Sequence, residues 1–216
     1  MNPTVLRQKL LSFAVERYFG ICTTGYVSPI TEGGVHYTPL PYQIIFRILG
    51  HLQMDSDDVF VDIGCGKGRV VCCVCRTSVR RVVALEINPD LLQETLSNVR
   101  RLRGARCPVN AVAMLAEDYD YAGATVIYLY NPFHGKVLRK VMAKVDASFK
   151  HNPRNLRVVY ANCLHEAALE ELGWLERYEE WPASEFQGFG CPISFWRSDS
   201  FVKKSDSGIY RVEDCQ

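Results

Sequence analysis

Directly after the apolar run Val59-Phe60-Val61, an acid and three glycines alternate with other residues: Asp62-Ile63-Gly64-Cys65-Gly66-Lys67-Gly68. Glycines set this closely let backbone approach a ligand that a Cβ would push away, so the stretch reads as a ligand-binding turn. Its departures from two phosphate-binding patterns narrow the ligand. A dinucleotide fingerprint places its third glycine after two intervening residues, where this chain has Arg69. A P-loop needs a glycine separated by four residues from a Gly-Lys pair, then Ser or Thr, and Val61 and Gly68 stand there instead. The carboxylate of Asp62 is unhelpful to a pyrophosphate and useful to a cation. A second acid, Glu86, closes the run Arg81–Ile87, 22 residues after Gly64. An acid about 20 residues beyond such glycines can accept two hydrogen bonds from a ribose diol.

These residues need elements to hold them. The run through Val59–Ile63 suits a strand buried on both faces of a parallel sheet, and Val70 onward suits a helix. Further strands are expected at 81–87, 109–114, 124–130 and 156–160. Helices between them are expected to begin at Asn88-Pro89-Asp90 and to span 135–149 and 166–172, with Gly173 closing the last. Loosely alternating residues 174–181 and the apolar 191–196 suit a hairpin across the loop 183–190. Ahead of the glycines, residues 1–20 form an expected amphipathic helix with Leu6, Leu10, Phe13, Ala14 and Tyr18 on its apolar face. Turns at Gly20, Gly25, Ser28-Pro29 and Gly33-Gly34 follow, then Tyr37-Thr38-Pro39 and a helix over 43–52. The sum is an α/β fold: a doubly wound, mostly parallel seven-stranded sheet with helices on both faces, a C-terminal antiparallel hairpin and an N-terminal helical cap. Residues 1–52 are read as a cap within the same domain, 53–198 as the ligand-binding domain and 199–216 as a polar tail.

Composition excludes several classes. In 216 residues, 25 basic and 24 acidic side chains leave a net charge of +1, so no global field points to nucleic acid or a membrane. No run is long and apolar enough to span a bilayer, and the N-terminus lacks the order of a signal peptide. Nine cysteines at irregular spacing fit a reduced, cytoplasmic setting better than a disulfide framework. Cys72, Cys73 and Cys75 have no second pair at ligand spacing, so they read as small buried hydrophobes and no metal is expected. The arginines at 100, 101, 103 and 106 read as a solvated helix end, with a phosphate seat, and so a nucleic-acid substrate, as the less favoured alternative. Oligomeric state is not legible.

Asp-x-Gly-x-Gly-x-Gly with a strand-end acid downstream resembles the first two motifs of the class I, Rossmann-like S-adenosylmethionine-dependent methyltransferases. The resemblance covers roughly residues 37–197. S-adenosylmethionine carries an ammonium and a sulfonium and no phosphate, which suits Asp62. More distantly, residues 37–90 resemble the Dot1-type and related lysine methyltransferases, which carry a comparable element to Tyr37-Thr38 before the glycines. The resemblance implies a cofactor site of Tyr37, Thr38, Asp62, Gly64, Cys65, Gly66, Gly68, Glu86 and Ile87. Glu117 or Asp118 would meet the adenine amine, and Asn131 would stand beside the reacting groups. Asn131-Pro132-Phe133 resembles the [DN]-P-P-[FY] motif of amino-group methylating enzymes, with one proline fewer. It implies that Asn131 and the Pro132 carbonyl hold an amine under the Phe133 ring, in a protein side chain or small molecule. Two alternatives stand: an O-methyltransferase using His134 as base, and a catalytically silent binding subunit. His36, His51, His151 and His165 have no motif context.

Overall fold

A computed structural model describes residues 3–28, 36–186 and 190–198. The elements run α1 (Pro3–Phe19), α2 (Tyr42–Leu52), β1 (Val59–Ile63), α3 (Arg69–Cys75), β2 (Arg81–Glu86), α4 (Pro89–Arg101) and β3 (Val109–Ala113). They continue with β4 (Val126–Tyr130), α5 (Gly135–His151), β5 (Arg157–Ala161), α6 (Ala167–Glu170), β6 (Leu175–Trp181) and β7 (Ile193–Ser198). The seven strands form one sheet in the order β3-β2-β1-β4-β5-β7-β6. Strands β1 to β5 pair in parallel, and β7 inserts antiparallel between β5 and β6. The expected doubly wound sheet and terminal hairpin are therefore present.

Side-chain alternation divides the core into two layers. Phe60, Val82, Val126 and Val159 face one way, against Ile44, Ile45 and Ile48 of α2 and Val71 and Val74 of α3. Val61, Val83, Ile127 and Val158 face the other, against Leu138, Val141, Met142 and Val145 of α5. All five residues of β1 are buried, as a central parallel strand covered on both faces requires. Strand β1 pairs with β2 on one side and β4 on the other. The chain thus winds outward from β1 to β3 and returns past it to β4. A crevice opens at that reversal, beyond the carboxyl ends of the two strands. The opposite ends are tied by Asp58, which accepts from Thr125 Oγ1 at 2.7 Å and pairs with Arg157 Nη2 at 2.8 Å.

The expected apolar face of α1 points the wrong way. Leu6, Leu10, Phe13 and Tyr18 are exposed, Phe13 to 71%, and Ala14 is exposed too. The inward side is Glu16 and Phe19, with Val15 partly buried. The helix turns this way because Glu16 is committed to a buried cation described below, which overrides the apolar spacing. Elsewhere boundaries shift by a residue or two. Strand β4 begins at Val126 and α6 spans only Ala167–Glu170. The glycine turn at 33–34, part of the loop 183–190 and the tail 199–216 lie outside the described residues.

Candidate active site

Strand β1 ends in the glycine turn, and each glycine has its own reason. All three adopt left-handed backbone, with φ of +73° at Gly64, +56° at Gly66 and +77° at Gly68, which L side chains rarely tolerate. Space is equally short. A Cβ on Gly64 would meet Pro132 at 2.8 Å, one on Gly66 the Tyr37 ring at 2.3 Å, and one on Gly68 Thr95 at 2.8 Å. Gly64 and Gly66 therefore seat the walls of the cleft, while Gly68 is pressed onto α4.

Glu86 holds the turn to the next βα unit. Its Oε2 accepts from the Gly66 backbone N–H and its Oε1 from that of Asn88, both at 2.9 Å. Asn88 in turn caps α4 through Asp90 N at 3.0 Å. Each Glu86 oxygen keeps a lone pair for a ligand hydroxyl. Asp62 is 2% exposed, and its carboxyl is pushed up to about 8, first by burial and second by the Glu86 charge.

The N-terminal residues close the cleft through one buried cation. Arg69, where a dinucleotide fold would have glycine, is 5% exposed. It donates to Thr23 Oγ1 at 2.8 Å, the Leu40 carbonyl at 3.1 Å and Glu16 Oε1 at 3.0 Å, and stacks over Tyr42 at 4.4 Å. Tyr37 donates to the Thr23 carbonyl at 2.6 Å, which holds its ring over Gly66. From α4, Asn98 Nδ2 donates to the Cys22 and Lys67 carbonyls, both at 2.9 Å. The cap and the glycine turn are thereby joined from both sides.

The wall opposite comes from the tips of β4 and β5. Asn131 has φ +38° and Asn162 φ +52°, a left-handed conformation that asparagine tolerates better than most side chains. Asn131 Oδ1 accepts from Tyr160 Oη at 3.1 Å, which sets its carboxamide. Phe133 leans on the core under α5.

Together these residues line a cleft of about 400 Å³, within the range of small-ligand sites. It gathers Tyr37, Thr38, Asp62, Gly64, Cys65 and Gly66 with Glu86, Ile87 and Glu117, and with Asn131, Pro132 and Phe133. Three of the expected residues are not among its lining. Gly68 is turned onto Thr95. Asp118 is exposed at the end of a 3-10 turn (Ala116–Asp118), leaving Glu117, paired with Lys140 at 2.8 Å, as the acid at the cleft. His134 is exposed. Its backbone carbonyl starts α5 by accepting from Val137 and Leu138 N–H.

Sequence reading missed Arg69, Tyr128, Tyr130 and Asn162, all lining the cleft. Tyr128 and Tyr130 stand in an apolar strand and read there as core; only the register with β1 brings Tyr128 beside Asp62. Arg69 had no local signal, because its partners are 29 to 53 residues away. Among the described residues no group of three or more His, Cys, Asp or Glu is placed to hold a metal ion, and no helix is long and apolar enough to cross a membrane.

No family model matches the chain. A protein-lysine N-methyltransferase of Saccharolobus islandicus is 29% identical over 97 residues, which are 44% of this chain and 60% of that protein. The chain thus spans about 60% of this curated relative. Among solved structures, an RNA methyltransferase from Salinibacter ruber in complex with S-adenosyl-L-homocysteine aligns over 78% of this chain and 98% of its own, with a TM-score of 0.55 and 21% identity. A precorrin-6y C5,15-methyltransferase from Geobacter metallireducens aligns over 73% and 87%, with a TM-score of 0.52 and 20% identity. These neighbours act on unrelated acceptors, so what they share with this chain is the sheet and its cleft. The chain therefore shares the Rossmann-like α/β fold of these methyltransferases.

Proposed function

We propose that this chain binds S-adenosylmethionine in the cleft and directs methyl transfer to an amino nitrogen, with a lysine side chain of a protein as the favoured acceptor. The observation that carries the reading is the contact of two motifs. Pro132 packs on Gly64, so Asn131, Pro132 and Phe133 line the same cleft as Asp62, Gly66 and Glu86. The lysine preference draws on the curated protein-lysine relative.

The residues present fit the cofactor. Glu86 is placed to accept from the ribose diol, Glu117 stands at the cleft for the adenine amine, and Asp62 offers a carboxylate to the ammonium. When bound, S-adenosylmethionine supplies an activated methyl group on a sulfonium. The protein's part is to bring donor and acceptor together in a partly dry site, where positioning lowers the barrier. Asn131 Oδ1 has one lone pair taken by Tyr160 and one left for an acceptor N–H. The Pro132 carbonyl offers a second acceptor and Phe133 an apolar cover. The described cysteines form no disulfide, in keeping with a reducing, cytoplasmic setting.

The test is to incubate the full chain with methyl-labelled S-adenosylmethionine and a lysine-rich polypeptide, reading methyl-lysine by mass spectrometry. Asn131→Ala is expected to lower turnover by about 100-fold through lost positioning, while cofactor affinity measured by calorimetry stays nearly unchanged. Cofactor binding without amine methylation would overturn the acceptor. No binding by folded protein would overturn the cofactor assignment itself.

A further inference from the structure

We propose that the hydroxyl of Tyr128 is a ligand contact that, together with Asp62, receives the amino-acid end of the nucleoside ligand. The inference rests on the reading of the cleft as an S-adenosylmethionine site, and it adds a specificity residue that the family motifs do not contain.

Tyr128 lies on β4 directly beside Asp62 of β1. Residues paired across adjacent parallel strands present their side chains on the same face of the sheet, and both line the cleft. Tyr128 is 2% exposed, yet its hydroxyl has no hydrogen-bond partner among the described residues. The other fully buried tyrosines behave differently. Tyr42 donates to Glu16, Tyr121 to the Ala116 carbonyl and Tyr160 to Asn131. A buried hydroxyl without a partner carries a desolvation penalty, so such groups in native proteins call for an explanation. Two other buried side-chain atoms share this state, Arg81 Nε and Glu166 Oε1. Neither residue lines the cleft. Among the described residues, Tyr128 alone combines an unmet hydroxyl with a place in the site.

The chemistry of its neighbours selects the ligand group. Asp62 suits an ammonium. Burial, with the Asp62 charge second, keeps the Tyr128 hydroxyl protonated, so it remains an O–H donor for a carboxylate. An ammonium and a carboxylate on one carbon are what the methionine portion of the ligand presents. The adenine and ribose portions present neither, and their partners Glu86 and Glu117 are elsewhere in the cleft.

The experiment titrates S-adenosylhomocysteine and methylthioadenosine, which lacks the amino-acid end, into the wild-type chain and Tyr128→Phe, alongside thermal melts without ligand. The expected result is an affinity loss of about tenfold for S-adenosylhomocysteine in the variant, as for one lost hydrogen bond to a charged group. Methylthioadenosine should bind both proteins alike, and the unligated variant should melt at or above the wild-type temperature. Equal loss for both ligands, or no loss for either, overturns the proposal. So does a clearly lower melting temperature, which would mean that the hydroxyl already has an internal partner. If the variant cannot be produced in amounts that allow titration or melting, meta-fluorotyrosine at this position keeps the hydroxyl. Its fluorine resonance should then shift with S-adenosylhomocysteine and stay unchanged with methylthioadenosine, and the same response to both overturns the assignment. Wild-type protein that binds neither ligand removes the S-adenosylmethionine reading and this inference with it, whereas wild-type binding with an indifferent Tyr128→Phe removes the inference alone.

Discussion

Replacing Gly66 by alanine tests whether the N-terminal cap and the glycine turn form one wall. Two penalties are expected, and they have different origins. Gly66 sits at φ +56°, and a left-handed L-residue costs about 1–2 kcal/mol whatever surrounds it. The added Cβ would also lie 2.3 Å from Cδ2 and Cε2 of Tyr37. That overlap forces the ring or the turn to move, and such overpacking costs about 1–3 kcal/mol. In a domain of this size each kcal/mol lowers the melting temperature by about 2–4 °C. Thermal denaturation of four proteins separates the terms: wild type, Gly66→Ala, Tyr37→Ala and the double variant. Removing the Tyr37 ring should abolish the steric penalty and leave the backbone one. Gly66→Ala should therefore be milder in the Tyr37→Ala background by about 1–3 kcal/mol, well outside the ~0.5 kcal/mol scatter of independent sites. Equal costs in the two backgrounds would refute the seating of Tyr37 on Gly66 and, with it, the cap as a wall of the cleft.

Two further outcomes follow from buried charges. Arg69→Met leaves the Glu16 carboxylate without its cation in a buried setting, a change expected to cost about 3–5 kcal/mol in urea unfolding. Adding Glu16→Met should recover most of the loss, and a double variant no better than the single would show that Arg69 acts through its other contacts. The Asp62 prediction concerns pH. The groups acting on it are Glu86, Tyr128, Cys65 and a hydrogen bond from the Val71 backbone. Its folded value near 8 lies above the unfolded carboxylate value. The unligated protein is therefore most stable, with respect to this group, below the unfolded value, and loses that stability as pH rises toward 8. A ligand ammonium needs the ionised form. Affinity for S-adenosylhomocysteine should thus fall by up to about tenfold per unit as pH drops below the folded value. Asp62→Asn carries only the ligand's own ionisation, so identical pH profiles for variant and wild type would discard the assignment.

The sequence alone determined the sheet, the place of the crevice and part of its lining. Apolar runs such as Val59–Ile63 bury on both faces wherever they are placed, so local pattern suffices to predict them. The glycine turn was legible because its need is also local: left-handed backbone at Gly64 and Gly66 restricts the residue type whatever lies opposite. Glu86 and Asn131 were found because each ends a strand, and strand ends on the return side of a doubly wound sheet converge. Tertiary structure decided which way α1 faces, which member of Glu117-Asp118 reaches the cleft, and that His134 stays outside it. In each case the competing interaction lies far away in sequence. Glu16 outweighs Leu10 and Phe13 because a buried guanidinium 53 residues later requires a carboxylate, and no helical period carries that information. Tyr128 belongs to the same class. As a residue in an apolar strand it reads as core, and only the packed sheet shows its hydroxyl beside Asp62 without a partner.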